Sequence, residues 1–357
     1  MEIEKGKVSS LFWENKKVFL TGHSGFKGSW LSLWLQSMGA NVKGYSLVPS
    51  TTPNIFTEAN VSEEMESEVG DIRDLDKISK SMSAFNPDIL IHMAAQPLVR
   101  LSYNDPVNTY TTNVIGTVNV LEAARKCVNL KAIVSITTDK CYENKEWEWG
   151  YRENEAMGGH DPYSSSKGCA ELVTSAYRRS FFSAKGTASV ASARAGNVIG
   201  GGDWADDRLI PDILKAFERS EPVVIRNPLS TRPWQHVLEP LSGYLVLAQE
   251  LYLKGDAYAE AWNFGPKDED CKPVNWILDK MVAKWGAGAS WELDKENNPH
   301  EAGFLKLDCS KAASRLKWQP KWNLEETVNL IIDWHQLYLN KQDVKVQCLK
   351  EIKKYTR

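Results

Sequence analysis

A glycine-rich turn caught between a strand and a helix restricts this chain more than any other feature. Residues 17–21 (KVFLT) form a short apolar run of the buried-strand type, and the next seven positions read Gly22-His23-Ser24-Gly25-Phe26-Lys27-Gly28. Trp30, Leu31, Trp34 and Leu35 then follow at helical spacing. In such a turn Gly22 permits the tight bend, Gly25 lets backbone approach a pyrophosphate, and Gly28 lets the helix pack against the sheet. The helix N-terminus adds unpaired N–H groups and partial positive charge. Strand before and helix after make this a dinucleotide-binding turn rather than a plain glycine bend. Its G-x-x-G-x-x-G spacing is one residue longer than the common dehydrogenase fingerprint.

Further strand candidates lie at residues 41–45, 67–70, 89–92, 131–137 and 188–194, with helical patterns between them. That alternation predicts parallel β-α-β winding, an α/β doubly wound sheet. Gly39 closes the first helix at Met38, and Pro106 opens a helix running toward Lys126. From Gly201 the texture changes to Trp, Pro and Arg in irregular segments, then a helix over 240–253, a strand at 262–264 and two late amphipathic helices. The reading is a first domain over 1–199 with a return segment near 237–265, and a smaller α/β domain over 200–236 and 266–357, with a ligand cleft between them. The lysine-rich end, KEIKKYTR, reads as a solvated tail.

The charge balance excludes several partners. Lys plus Arg number 43 and Asp plus Glu 46, so no global field draws nucleic acid or an anionic membrane, and an anionic ligand must be met locally. No apolar stretch approaches the roughly 20 residues that span a bilayer. The six cysteines have neither C-x-x-C spacing nor clustering with His, which points away from a metal site or disulfides and toward the reducing cytoplasm.

Two groups of residues carry chemistry. Tyr163 and Lys167 are four apart, so on a helix they share a face, and an ammonium beside a phenol favours phenolate. The fifth strand ends in Thr137-Thr138-Asp139-Lys140-Cys141-Tyr142, which puts polar groups at the carboxyl edge of the sheet, where doubly wound folds bind ligands. Either pattern alone could belong to an ordinary surface helix or a charged strand end; together with the glycine turn they specify a site.

The longer glycine turn with Tyr163-Ser-Ser-Ser-Lys167 resembles the extended short-chain dehydrogenase/reductase superfamily, over nearly the whole chain. The resemblance implies a Rossmann-like fold and a bound NAD, lined by Gly22, Gly25, Phe26, Lys27 and Gly28, by Asp71 and Ile72 at the adenine, by Ala94, Ala95, Gln96 and Asn113, and by Tyr163 and Lys167 at the nicotinamide ribose. The second strand ends in Tyr45-Ser46, without the acidic residue that would grip the ribose 2′-hydroxyl, and without a cation for a 2′-phosphate; this favours NAD over NADP.

Within the superfamily, Thr138-Asp139-Lys140 resembles the Thr-Asp-Glu of nucleotide-sugar 4,6-dehydratases, and the lysine resembles the branch acting on CDP-glucose. The resemblance implies that Tyr163 takes a proton as the sugar C4 is oxidised, with Thr138 on the C4 hydroxyl. Water loss needs two more proton carriers. Asp139, if held neutral, would protonate the departing C6 hydroxyl, and Lys140 would take the C5 proton. It also implies substrate contacts from Asn197, Arg208, Leu209, Arg232 at the diphosphate, and His236. His300 and Glu301 are candidates for the nucleotide pocket, with no role assigned. No metal is implied. A homodimer or homotetramer is implied, built on a four-helix interface from residues 106–126 and 161–182. A nucleotide-sugar 4-epimerase would share everything but a use for Asp139 and Lys140. A superfamily reductase would consume reduced cofactor. A non-catalytic dinucleotide sensor or RNA-associated Rossmann protein would have no reason to keep Tyr163 and Lys167.

Overall fold

The computed structural model describes residues 4–294 and 304–357. Seven parallel strands form the central sheet: β1 Lys17–Thr21, β2 Asn41–Ser46, β3 Glu66–Val69, β4 Ile89–His92, β5 Ala132–Ile136, β6 Ser189–Arg194 and β7 Ala261–Asn263. Their order is β7-β6-β5-β4-β1-β2-β3, so the winding reverses between β1 and β4. At that switch point the strand ends splay and leave a crevice. The doubly wound α/β expectation holds, with strand limits within two residues of those read from the sequence.

Alternation along each strand explains why both sheet faces are covered. Val18, Leu20, Ile89, Ile91, Val134 and Ala191 join one buried cluster with Trp30, Trp34, Leu241 and Trp262. Phe19, Leu90, Ile133 and Val190 point the other way, into a cluster with Ile78, Met82, Val120, Leu121 and Phe182. Helix α1 (Phe26–Ser37) packs on the first face and ends at Met38, with Gly39 at φ +76°. A third cluster lies beyond the sheet and gathers Ile210, Ile213, Phe217, Val223, Ile277, Leu278, Ile331 and Ile332. It packs helices Leu209–Glu218, Val274–Trp285 and Leu324–Leu339 against the short parallel pair Pro222–Ile225 and Ser290–Leu293. Among the described residues no helix is long and apolar enough to cross a membrane.

Two expectations are corrected here. Among the described residues there are three late helices rather than two, and the lysine-rich end is one of them, Val344–Thr356. Val344, Cys348, Ile352 and Tyr355 recur at helical spacing and are buried in the first cluster. The Tyr355 hydroxyl donates to Glu239 Oε2 at 2.6 Å, and its ring meets Trp34 edge-on at 5.7 Å. The lysines between these positions face outward and hide the apolar stripe from a reading by composition.

Candidate active site

The glycine turn is built as its spacing requires. Gly22 has φ +78°, and a Cβ there would lie 2.7 Å from the Ala94 nitrogen; one on Gly28 would lie 2.0 Å from the Gly22 carbonyl oxygen. A Cβ on Gly25 would touch only Gly22 O, at 3.5 Å, so this glycine leaves open space at the N-terminus of α1. No side chain caps that terminus. Its N–H groups are thus available to an anion. Gly28→Ala is expected to force helix and turn apart and lower stability by about 3 kcal/mol, at the upper end of overpacking costs, as read by thermal unfolding.

Thr21 couples the turn to the strand beyond the switch point. Its Oγ1 accepts from the Met93 and Ala94 N–H groups at 3.1 and 3.2 Å and bonds His92 Nδ1 at 2.7 Å. Ala94 and Ala95 are half-buried at this edge. The Asn113 amide lies behind them: it accepts from Gln96 N–H at 2.8 Å and donates to Gln96 O and Ser166 Oγ. All its polar atoms are spent on bracing the loop. Asp71 is held by Arg73 at 2.6 Å, which keeps its carboxyl below the ordinary range, and Ile72 packs on Gly116. Ser46 is turned toward the glycine turn, with its hydroxyl 3.1 Å from His23 Nδ1 and 2.7 Å from Ser24 Oγ. Burial lowers the His23 pKa to about 4, so the ring is neutral.

The polar centre forms where β5 meets helix α2 (Pro162–Ser180). Asp161 caps that helix by accepting from Ser164 N–H at 2.9 Å, which sets Tyr163 in its first turn. One turn on, Lys167 Nζ donates to Ile136 O at 3.1 Å, and burial lowers its pKa to about 8 against the pull of Glu171. Past β5, Thr138 caps the single turn Asp139–Cys141, and its hydroxyl donates to Asp139 Oδ1 at 3.0 Å. Asp139 is 1 % exposed, and burial holds its carboxyl above the ordinary range against the charges of Lys140 and Arg232. The Tyr163 phenol is pushed up to about 12 by burial, opposed by the nearby Thr138 hydroxyl and the charge of Arg208. Lys27, in the first turn of α1, faces the same centre: burial and the nearby charges of Lys167 and Arg208 lower its pKa to about 7.

Arg208 is tied to Asp203 at 2.9 Å just before Leu209, which is half-buried on the third cluster. Arg232 sits in the strand Thr231–Pro233, paired with Cys271–Pro273. Asn197 adopts φ +42°, and its carbonyl accepts from Gln235 N–H. Cations therefore crowd one carboxyl and one phenol in a chain of net charge −3. The centre can bind an anionic ligand, hold one carboxyl above its ordinary range and present several proton carriers.

One expected substrate residue is enclosed by the core. His236 is 0 % exposed, packed edge-on between Trp30 at 6.0 Å and Trp322 at 4.8 Å, with Nε2 3.5 Å from Glu351 Oε2. Those contacts hold the ring within the core. His300 and Glu301 lie outside the described residues. Sequence reasoning missed Glu171, one turn beyond Lys167 on the same face. It takes hydrogen bonds from Thr137 and Ser192 and forms a buried ion pair with Arg194 at 2.8 Å. The spacing Tyr163, Lys167, Glu171 carried that signal.

The family model described as GDP-mannose 4,6 dehydratase matches residues 19–331. The chain is 60% identical, over 98% of its length and 98% of the relative's, to CDP-glucose 4,6-dehydratase of Salmonella typhimurium. Among solved structures it is similar to the UDP-glucuronic acid 4-epimerase of Bacillus cereus in complex with UDP-glucuronic acid and NAD, with TM-score 0.77 and 23% identity over 90% of this chain and 100% of that one. It is also similar to the dTDP-glucose 4,6-dehydratase of Bacillus anthracis in complex with NAD, with TM-score 0.74 and 20% identity over 92% and 99%. These two likenesses are of fold.

Proposed function

The chain belongs to the GDP-mannose 4,6 dehydratase family, and from that premise we propose that it converts CDP-D-glucose to CDP-4-dehydro-6-deoxy-D-glucose with NAD as a recycled cofactor. One observation carries the reading: a buried carboxyl kept above its ordinary pKa range, Asp139, accepts a hydrogen bond from Thr138 and stands near Tyr163. A 4-epimerase has no leaving group for such an acid to protonate. The relative at 60% identity supports CDP-glucose as the substrate.

The residues at the switch point fit a dinucleotide. The open side of Gly25, the uncapped start of α1 and the small Ala94 and Ala95 would hold its pyrophosphate and nicotinamide ends, with Asp71 and Ile72 at the adenine. Ser46, with neither acid nor cation at its place, supports NAD. NAD held there would supply a hydride acceptor for C4 and a hydride donor for C6. The protein's own groups move the protons. Tyr163 accepts the C4 hydroxyl proton, with Thr138 orienting that hydroxyl and Lys167 favouring phenolate. Lys140 takes the C5 proton, made acidic by the C4 ketone, while Asp139 gives its proton to the C6 oxygen as the C–O bond breaks and water leaves; Lys140 then returns a proton, exchanged with solvent, to C5 as C6 receives hydride. Arg208, Arg232 and Asn197 hold the nucleotide sugar, Arg232 as paired donors to diphosphate, with Leu209 beside them.

This division of labour assigns cofactor binding to residues 1–199 with the return near 237–265, and substrate binding to 200–236 and 266–357. A homodimer or homotetramer in the cytoplasm completes the reading. Tyr103, Val107 and Leu172, between 61 and 72 % exposed, are apolar ground for pairing helices Val99–Asn104, Pro106–Tyr110 and α2 with a second copy. The test is proton NMR of the protein with NAD in D2O, given CDP-, dTDP-, UDP- and GDP-linked hexoses separately. A 4-keto-6-deoxy sugar with deuterium at C5, from CDP-glucose alone, is the expected result. A C4 epimer without loss of water would overturn the assignment.

A further inference from the structure

The turn that carries Asp139 and Lys140 is weakly held by its own hydrogen bonds. Cys141 N–H reaches Thr138 O, Tyr142 N–H reaches Asp139 O and Lys140 N–H reaches Thr138 Oγ1, each at 3.4 Å, longer than the usual N–H···O bond. Shorter bonds tie the turn from outside. Cys141 O accepts from Gly158 N–H at 2.9 Å, and a buried polar group holds the residues that flank the turn. Before it, the Thr137 hydroxyl donates to Glu171 Oε1. After it, the Tyr142 hydroxyl accepts from Arg194 Nη1 at 2.6 Å. Between the two, Arg194 Nη2 donates to Glu171 Oε2 at 2.8 Å. One ion pair therefore spans both ends of the turn.

Stability alone does not account for that pair. Apolar side chains of like volume often serve a core as well as a buried ion pair does, and this pair is incomplete, since Arg194 Nε finds no partner among the described residues. Its placement has a use instead. Glu171 lies one helical turn beyond Lys167 on α2, and Tyr142 is the second residue after Lys140. Tyr142 is also fixed from its far side. Its hydroxyl donates to Asn263 Oδ1 at 2.8 Å, while Asn263 Nδ2 donates to Tyr151 O at 2.8 Å and to Asp308 O at 3.1 Å. With both amide hydrogens of Asn263 engaged, its Oδ1 is the atom left to face the phenol, so Tyr142 has one place to go.

We propose that the Glu171–Arg194 pair is a clamp that sets the Asp139–Cys141 turn against α2, and so fixes where Asp139 and Lys140 stand relative to Tyr163 and Lys167. Thr137, Tyr142, Glu171 and Arg194 are positioning residues, which act through the turn. The clamp rests on the dehydratase reading for its use, though not for its existence. In that reading oxidation draws on Tyr163 and Lys167 of α2, and elimination on Asp139 and Lys140 of the turn. One sugar can meet both sets only while turn and helix keep a fixed relation, and the clamp is what joins them. Its two ends are not equivalent: Thr137 precedes Thr138, whereas Tyr142 steadies the side of the turn that carries Lys140.

Backbone amide exchange in the presence of NAD and without substrate, read by mass spectrometry, tests the clamp. In Tyr142→Phe, which loses only a hydroxyl, peptides covering 137–143 are expected to exchange about tenfold faster, while those covering Ile89–His92 keep their rate. Thr137→Val should act likewise, and Thr137→Ser should restore wild-type exchange. In single turnovers of CDP-glucose in D2O, Tyr142→Phe should lower deuterium incorporation at C5 about tenfold relative to the rise of reduced nicotinamide, with KM unchanged. A merely structural role would speed exchange throughout the chain and slow both steps alike, and either result overturns the clamp. So does an unchanged 137–143 peptide in folded variants, or faster exchange that leaves the ratio of the two steps where it was. Should Tyr142→Phe not fold, the Thr137 variants carry both arms. Because exchange needs no substrate, a local effect in a protein whose wild type left CDP-glucose untouched would keep the clamp and sink the dehydratase reading alone.

Discussion

Replacing Tyr163 by Phe is expected to lower turnover of CDP-glucose by about 10³-fold, within the range a positioned acid or base contributes, while leaving the fold intact. The phenol sits in the first turn of a capped helix, beside Thr138 and one turn before Lys167. Phe keeps the ring volume and removes only the oxygen. Burial pushes this phenol up to about 12, so at neutral pH it rests protonated, and Thr138 and nearby cations must offset desolvation before it can accept a proton. Without the oxygen, no group at this position takes the C4 proton and oxidation cannot begin. Two readouts should fail together: near-ultraviolet absorbance of reduced nicotinamide during a single turnover, and 4-keto product. Thermal unfolding should match wild type. A folded Tyr163→Phe protein with wild-type turnover would remove Tyr163 from the mechanism.

Where the sequence was readable, one physical rule decided the local structure. Strands buried on both faces read as unbroken apolar runs, and Lys17–Thr21 and Ile89–His92 lie within the limits expected. The glycine turn was readable because steric demand fixes it: no other residue fits at Gly22 or Gly28 without moving backbone. Reading failed where a residue's partner lies far along the chain. The closing helix Val344–Thr356 looked solvated because lysines dominate its composition, while Glu239 and Trp34, which receive Tyr355, lie more than 100 positions earlier. His236 was placed by its neighbour Arg232, yet Trp30, Trp322 and Glu351 enclose it.

Lys140→Ala should separate the two halves of the chemistry. Lys140 is half-buried in the single turn that carries Asp139, next to the acid rather than beside Tyr163. In the proposed mechanism oxidation at C4 depends on Tyr163, Thr138 and Lys167, none of which the substitution touches. Nicotinamide absorbance should therefore rise when CDP-glucose is added. Removal of the C5 proton should fail, so deuterium incorporation at C5 and release of 4-keto-6-deoxy product should both fall by about 10²- to 10³-fold, the loss of one positioned base. The reduced cofactor then has nowhere to deliver hydride and accumulates, a signature that neither misfolding nor weak substrate binding produces. If Lys140→Ala instead exchanges C5 at the wild-type rate, the base lies elsewhere. Lys27, whose ammonium is lowered to about 7 by burial and the charges of Lys167 and Arg208, then becomes the amine nearest the required state at neutral pH. That result would move the base to the glycine turn, and Lys27→Met would have to show the accumulation that Lys140→Ala did not.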